Sequence, residues 1–168
     1  PTESLTAYEL LLKGHGTSWA TRESNAKRRS LFMKAIELDP QYADAYADIG
    51  FTYWTDTVTN QDPRDLERVF EFGRKAVSLD GSLSAAHSLL AQGYQARGQY
   101  ALAISEVERA ISLNPSNANA YHTMSVIYNN YSRPRKALPA IEMAMRLEPH
   151  YGVGFLVQLA WSYRGLGR

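Results

Sequence analysis

An all-α chain laid out as a row of antiparallel helix pairs is what this sequence predicts, and three observations predict it. First, four helix-ending segments read alike: Lys34–Pro40, Lys75–Gly81, Arg109–Pro115 and Met143–Pro149. Second, they keep one register. Ala35, Ala76, Ala110 and Ala144 stand 41, 34 and 34 residues apart, and so do Leu38, Leu79, Leu113 and Leu147. Third, Tyr53, Tyr94 and Tyr128 repeat those intervals of 41 and 34, with Tyr163 a further 35 along. A fixed period of this length marks a supersecondary unit stacked on copies of itself.

The units follow in chain order as 7–42, 43–83, 84–117 and 118–151, with a last helix over 152–168. Each unit closes on Pro40, Gly81, Pro115 or Pro149. Proline removes the N–H and clashes with the preceding turn, and Gly81 is expected to accept a left-handed cap. The first helix of each later unit carries apolar residues at helical spacing: Tyr46, Ile49, Gly50, Tyr53; His87, Leu90, Ala91, Tyr94; Tyr121, Met124, Ser125, Tyr128. The small member (Gly50, Ala91, Ser125) lets a partner helix come close. A turn follows, clearest at Arg97-Gly98-Gln99, and then a second helix with Ala103, Val107, Ala110 or Ala137, Ile141, Ala144. Two such helices cannot bury their apolar faces alone, whereas stacked neighbours can, giving an α-solenoid. The last helix is expected to cover the open face of the fourth unit.

Composition narrows the function. Of 168 residues, 18 are Lys or Arg and 17 Asp or Glu, a net charge of +1 that gives no general attraction to nucleic acid or anionic membrane. The 45% apolar content is that of a folded domain, and no apolar run reaches the ~20 residues of a membrane span. With no cysteine, disulfides, thiolate metal sites and a cysteine nucleophile are excluded. The chain starts at Pro1, which reads as a piece of a longer protein. A cytoplasmic location is the expectation.

The pattern of aromatic, Leu, Gly and Tyr in a first helix, then Ala, apolar, Ala and Pro in a second, resembles the tetratricopeptide repeat (TPR). The resemblance implies a right-handed solenoid of about four repeats with a C-terminal capping helix, acting by binding a protein or peptide partner. The stretches Thr6–Gly14 and Ala35–Tyr46 also resemble the TPR segment following the catalytic domain of bacterial adenylate/guanylate cyclases. That likeness implies a regulatory or self-associating role in a larger signalling protein. The first unit departs from the TPR pattern, with Lys13 at an apolar position and Arg28 where a small residue is usual.

Three irregularities stand out. The second unit has seven extra residues within 54–68, where Asp62 reads as an N-cap and Pro63 as a first helical residue after Asn60-Gln61. Pro139 falls inside the second helix of the fourth unit, where it bends the helix at the outer face. Lys27-Arg28-Arg29 and Arg133, Arg135, Lys136 are basic clusters without interleaved aromatics, so they read as solvated faces and not as a nucleic-acid site.

No catalytic constellation is present. His15, His87, His122 and His150 lie in no metal-ligand pattern, Gly152-Val153-Gly154 is no dinucleotide loop, and there is no phosphate loop. No cofactor or metal is expected, and His87 is expected to pack at an interface. The TPR resemblance implies a concave groove lined by the first helices. Its candidate peptide-binding residues are Asp44, Asp48, Phe51, Trp54, Ser88, Gln92, Gln95, Asn119, His122, Val126, Asn129 and Asn130. Amides satisfy a peptide backbone, Phe51 and Trp54 seat an apolar anchor, and Asp44 and Asp48 hold a Lys or Arg of the ligand. TPR co-chaperones clamp acidic heat-shock peptides with Lys, Arg and Asn. The corresponding Ala47, Phe51, Ser88 and Val126 carry no cation, so that ligand is not expected.

Overall fold

The computed structural model describes residues 2–60 and 62–167, apart from the Asn60 side chain; Pro1, Gln61 and Arg168 lie outside it. Gln61 of the expected 60–63 turn is therefore outside the described residues. Among the described residues the chain forms nine helices and no strand: α1 (Leu5–His15), α2 (Arg22–Leu38), α3 (Ala43–Asn60), α4 (Pro63–Leu79), α5 (Ser84–Ala96), α6 (Tyr100–Leu113), α7 (Ala118–Asn130), α8 (Pro134–Leu147) and α9 (Val153–Gly165).

Consecutive helices pack together all along the chain, and α3, α5, α7 and α9 also pack one on the next. The first helices thus form one inner layer and the second helices an outer one, an α-solenoid.

The repeated alanines have a shared structural task. The amides of Asp39, Asp80, Asn114 and Glu148 donate to the carbonyls of Ala35, Ala76, Ala110 and Ala144 and close α2, α4, α6 and α8. All four alanines are fully buried. Asp39 and Asp80 are extended, as Asp39 must be before Pro40. Gly81 departs from expectation. The glycines with positive φ among the described residues are Gly98 and Gly167, so α4 ends through the extended Asp80 and not through a left-handed Gly81.

The core is a chain of small clusters. Ala7, Leu11, Phe32, Ala35 and Ile49 join α1, α2 and α3; Ala91, Ala103, Val107, Ala110, Ala120 and Ile127 join α5, α6 and α7. Gly50 is small because α5 presses on it: a Cβ there would stand 2.2 Å from Leu89 Cδ2. His87, 9% exposed, sits between α5 and Glu106 of α6, 2.7 Å from Oε2 through Nδ1.

The extra residues of the second unit lengthen α3 to 18 residues and α4 to 17, where α5 and α6 have 13 and 14. Asp62 caps α4 by accepting from the Arg64 amide at 2.9 Å, and Pro63 is its first helical residue. α8 runs through Pro139, which is exposed.

The basic cluster 27–29 is not a uniform solvated face. Lys27 is exposed, but Arg29 pairs with Asp56, donates to Thr52 Oγ1 at 2.7 Å and lies 3.8 Å over the Tyr53 ring. Arg28 turns inward, donating from Nε to the Gly14 carbonyl at 3.3 Å and lying over Phe32. Register explains it: Arg28 occupies the place of Val69, Ala103 and Ala137, all fully buried.

Candidate functional site

The inner layer holds a trough. One part, of about 220 Å³, is lined by Arg28, Phe51, Trp54, Gln92, Asn119 and His122 with two threonines. An adjoining recess of about 120 Å³ adds Gln95 and Val126. Helical register builds this row: Phe51, Gln92 and Val126 are one position repeated in α3, α5 and α7, and Trp54 and Gln95 are another. Seven of the twelve sequence candidates therefore meet in one place.

The trough floor is polar and under-satisfied. Gln92 donates from Nε2 to Thr123 Oγ1 at 3.1 Å. Its Oε1, Ser88 Oγ and His122 Nε2 are shut from solvent and have no well-aligned hydrogen-bond partner among the described residues. Ser88 is itself 2% exposed, beneath the trough and not in its wall. Burial pulls the His122 pKa below the ordinary imidazole value, opposed by the Gly154 backbone, so the ring is neutral at pH 7.

The other four candidates stand apart. The Asp48 carboxylate accepts from His15 Nε2 at 2.7 Å, and this bond raises the His15 pKa against the effect of burial. With α1 ending beside it, Asp48 is engaged inside the protein. Half-buried Asp44 adds a smaller pull on His15 and helps push the buried Tyr42 phenol up to about 12. Asn129 is a departure from the expectation of a ligand contact. Its Nδ2 donates to Gln158 Oε1 at 3.0 Å and to the Gln158 carbonyl at 3.1 Å, and its Oδ1 accepts from Ser162 Oγ at 3.2 Å, so it docks α9. Asn130 is exposed at the end of α7.

Two contributors were not expected. Arg28 brings a cation to the trough because its position is out of pattern for a small residue. α9 continues the inner layer: Val157 and Trp161, 42% and 53% exposed, fall in register with His122 and Val126. The spacing of Tyr163 from Tyr128 carries that signal.

A larger recess of about 690 Å³ opens between α2, α3 and α4, lined by Arg22, Arg29, Asp56, Asp62, Arg64 and Asp65 among others. Its charges largely pair among themselves, Arg29 with Asp56 and Arg64 with Asp62. Among the described residues no group of His, Asp and Glu is placed to hold a metal ion, and no helix is long and apolar enough to cross a membrane.

Residues 84–117, the span of α5 and α6, match the tetratricopeptide repeat family. The α5–α6 pair is thus a tetratricopeptide repeat, and the other helix pairs share its arrangement. A thermophilic TPR protein of Thermus thermophilus is similar over 96% of this chain and 84% of its own, with TM-score 0.73 and 20% identity. PilF of Pseudomonas aeruginosa is similar over 96% of this chain and 70% of its own, at 0.71 and 18%. The first TPR domain of RPAP3 bound to the HSP90 peptide SRMEEVD is similar over 76% of this chain and 98% of its own, at 0.64 and 19%. At such identities the likeness is one of fold. No curated protein sequence matches the chain.

Proposed function

We propose that the TPR array is a protein-interaction module whose trough takes a peptide segment of a partner protein. One observation carries this reading: Phe51 and Trp54 of α3, Gln92 and Gln95 of α5, and Asn119 and Val126 of α7 line one trough of apolar and amide side chains. The amides can donate to and accept from a peptide backbone, while an apolar side chain seats on Trp54. The RPAP3 neighbour holds a peptide on the same fold. At the positions that the TPR resemblance assigns to a clamp for acidic peptides, Ala47, Phe51, Ser88 and Val126, this chain carries no cation. Among the described residues Arg28 is the one cation in the trough lining and its Nε is engaged by the Gly14 carbonyl, so an apolar-anchored segment is favoured over an acidic tail.

Panning a random peptide library against the chain tests this. Enriched peptides are expected to lose roughly tenfold in affinity on Trp54→Ala, as interface anchors do, and less on Gln92→Ala. SRMEEVD is expected to bind no better than its scrambled form. Enriched peptides indifferent to both substitutions, or tight SRMEEVD binding, overturn the assignment.

A further inference from the structure

The trough is two recesses with a shared wall. Trp54, Gln92, His122 and Thr123 line both. The larger, of about 220 Å³, adds Arg28, Phe51, Thr55 and Asn119, and the smaller, of about 120 Å³, adds Gln95 and Val126. Along α7 the two differ in axial position: Asn119 comes one turn before the shared His122 and Thr123, and Val126 one turn after them. A bound segment therefore presents a different side chain to each recess.

The larger recess has a cation and no anion in its lining. Arg28 reaches it from α2, in the outer layer, at the place held by fully buried Val69, Ala103 and Ala137 in the other second helices. Its Nε donates to the Gly14 carbonyl at 3.3 Å. The two terminal nitrogens of this half-buried guanidinium have no ion-pair partner among the described residues. Asp48, the carboxylate that attracts it, accepts instead from His15 at 2.7 Å. Burial withdraws the guanidinium from water and pulls its pKa down against that attraction. A partly desolvated guanidinium with unspent N–H groups matches a carboxylate, which it holds through charge-assisted hydrogen bonds.

The smaller recess has a different chemistry. Trp54 and Val126 give it an apolar wall. A cavity of about 150 Å³ holds a six-carbon ring, so this recess suits the four carbons of Leu or Ile and is tight for an aromatic side chain.

We propose that the trough selects its partner segment by one acidic and one aliphatic side chain, the acidic one paired with Arg28 and the aliphatic one seated against Trp54 and Val126. This rests on the trough being a peptide site and adds which peptides it takes. One guanidinium answers one carboxylate, so a run of acidic residues gains nothing beyond the first. The pairing also gives a use to an arginine that stands where the other second helices carry Val or Ala.

A random library of short peptides with both ends blocked, panned on the whole chain, is the probe. Enriched sequences are expected to carry one Asp or Glu and one Leu, Ile or Val at a fixed spacing. In anisotropy titrations of one such peptide, changing its Glu to Gln is expected to weaken binding about tenfold, the loss of a hydrogen-bonded charge pair. High salt should shrink that difference. This comparison needs no protein variant. Arg28→Met, apolar like its counterparts in the other repeats, is expected to abolish the difference between the Glu and Gln peptides while the Gln peptide stays bound. Arg28→Glu is expected to turn the preference toward a Lys peptide, and Val126→Phe to shift the aliphatic position from Leu to Ala. Trp54-dependent binding without acidic enrichment, or a Glu–Gln difference that survives Arg28→Met, overturns this assignment and leaves the peptide trough standing. Binding indifferent to Trp54→Ala, or no binding at all, overturns the trough reading and this one with it.

Discussion

The first two helix pairs and the later ones are held by different chemistry. From α5 to α8 the same small and apolar residues recur every 34 positions, and Ala91, Ala103, Val107, Ala110, Ala120 and Ile127 are all fully buried. From α1 to α4 the register is broken by Arg28, by a longer α3 and by a polar network of Asn25, Arg29, Thr52 and Asp56. The difference teaches how each kind of interface tolerates change. Apolar contact is non-directional and needs only the right volume, so it can be copied from repeat to repeat. A polar network needs every partner present, so it belongs to one place and fails as a unit.

The largest expected effect breaks the comparison at its polar side. Asp56→Ala leaves the half-buried Arg29 and the buried Asn25 amide without their carboxylate, and a loss of about 3–5 kcal/mol is expected. Ile127→Ala, in the regular half, is expected to cost about 2–5 kcal/mol from lost burial and a cavity. Size alone does not separate the two; repair does. Asp56→Leu with Arg29→Met, apolar on both sides, should recover most of the first loss. Urea unfolding of the three variants measures this, and a double variant as unstable as Asp56→Ala would refute the network account.

That contrast also explains what was legible in advance. The repeat units, their stops and the small residues at Gly50, Ala91 and Ser125 follow from spacing, because packing in register leaves a periodic trace. The trough positions Phe51, Gln92, Val126, Trp54 and Gln95 come from the TPR resemblance, which that same spacing carries. The bonds of Asp48 and Asn129 were not legible, since their partners, His15 and the α9 residues Gln158 and Ser162, lie 33, 29 and 33 positions away and recur nowhere. A hydrogen bond between unlike residues at one site has no periodicity to read. Arg28 was visible as an exception to the pattern, but the path of its side chain depends on Gly14 and Phe32 together.

A middle-sized effect sharpens the boundary between trough and cap. Asn129→Ala removes both hydrogen bonds to Gln158 and strands buried Ser162 Oγ on its intrahelical bond. A cost of about 1–3 kcal/mol is expected. In a solenoid each repeat contacts only its neighbours, so the loss should appear as faster hydrogen exchange in α9 with α1 to α4 unchanged. Uniformly faster exchange along the whole chain would mean that α9 is not a separable unit.

The smallest effect sets the two halves against each other in pH. At the irregular end the bond to Asp48 raises the His15 pKa, so the folded state holds this proton more tightly than the unfolded chain. Its contribution is full below the ordinary value near 6.5 and is lost as pH rises through the elevated folded value. At the regular end burial lowers the His122 pKa, and the sign reverses. There the contribution is full above about 6.5 and is lost as pH falls toward the depressed folded value. The His122 ring is stacked on Phe155 of α9 at 4.6 Å, so protonation loosens that docking. Exchange corrected for its intrinsic pH dependence should quicken in α1 above neutrality and in α9 below about pH 6, on the acid side of the ordinary imidazole value. Asp48→Asn is expected to flatten the first trend and His122→Phe the second, each leaving the other in place. Parallel trends at both ends would show that net charge, and not these two rings, sets the response.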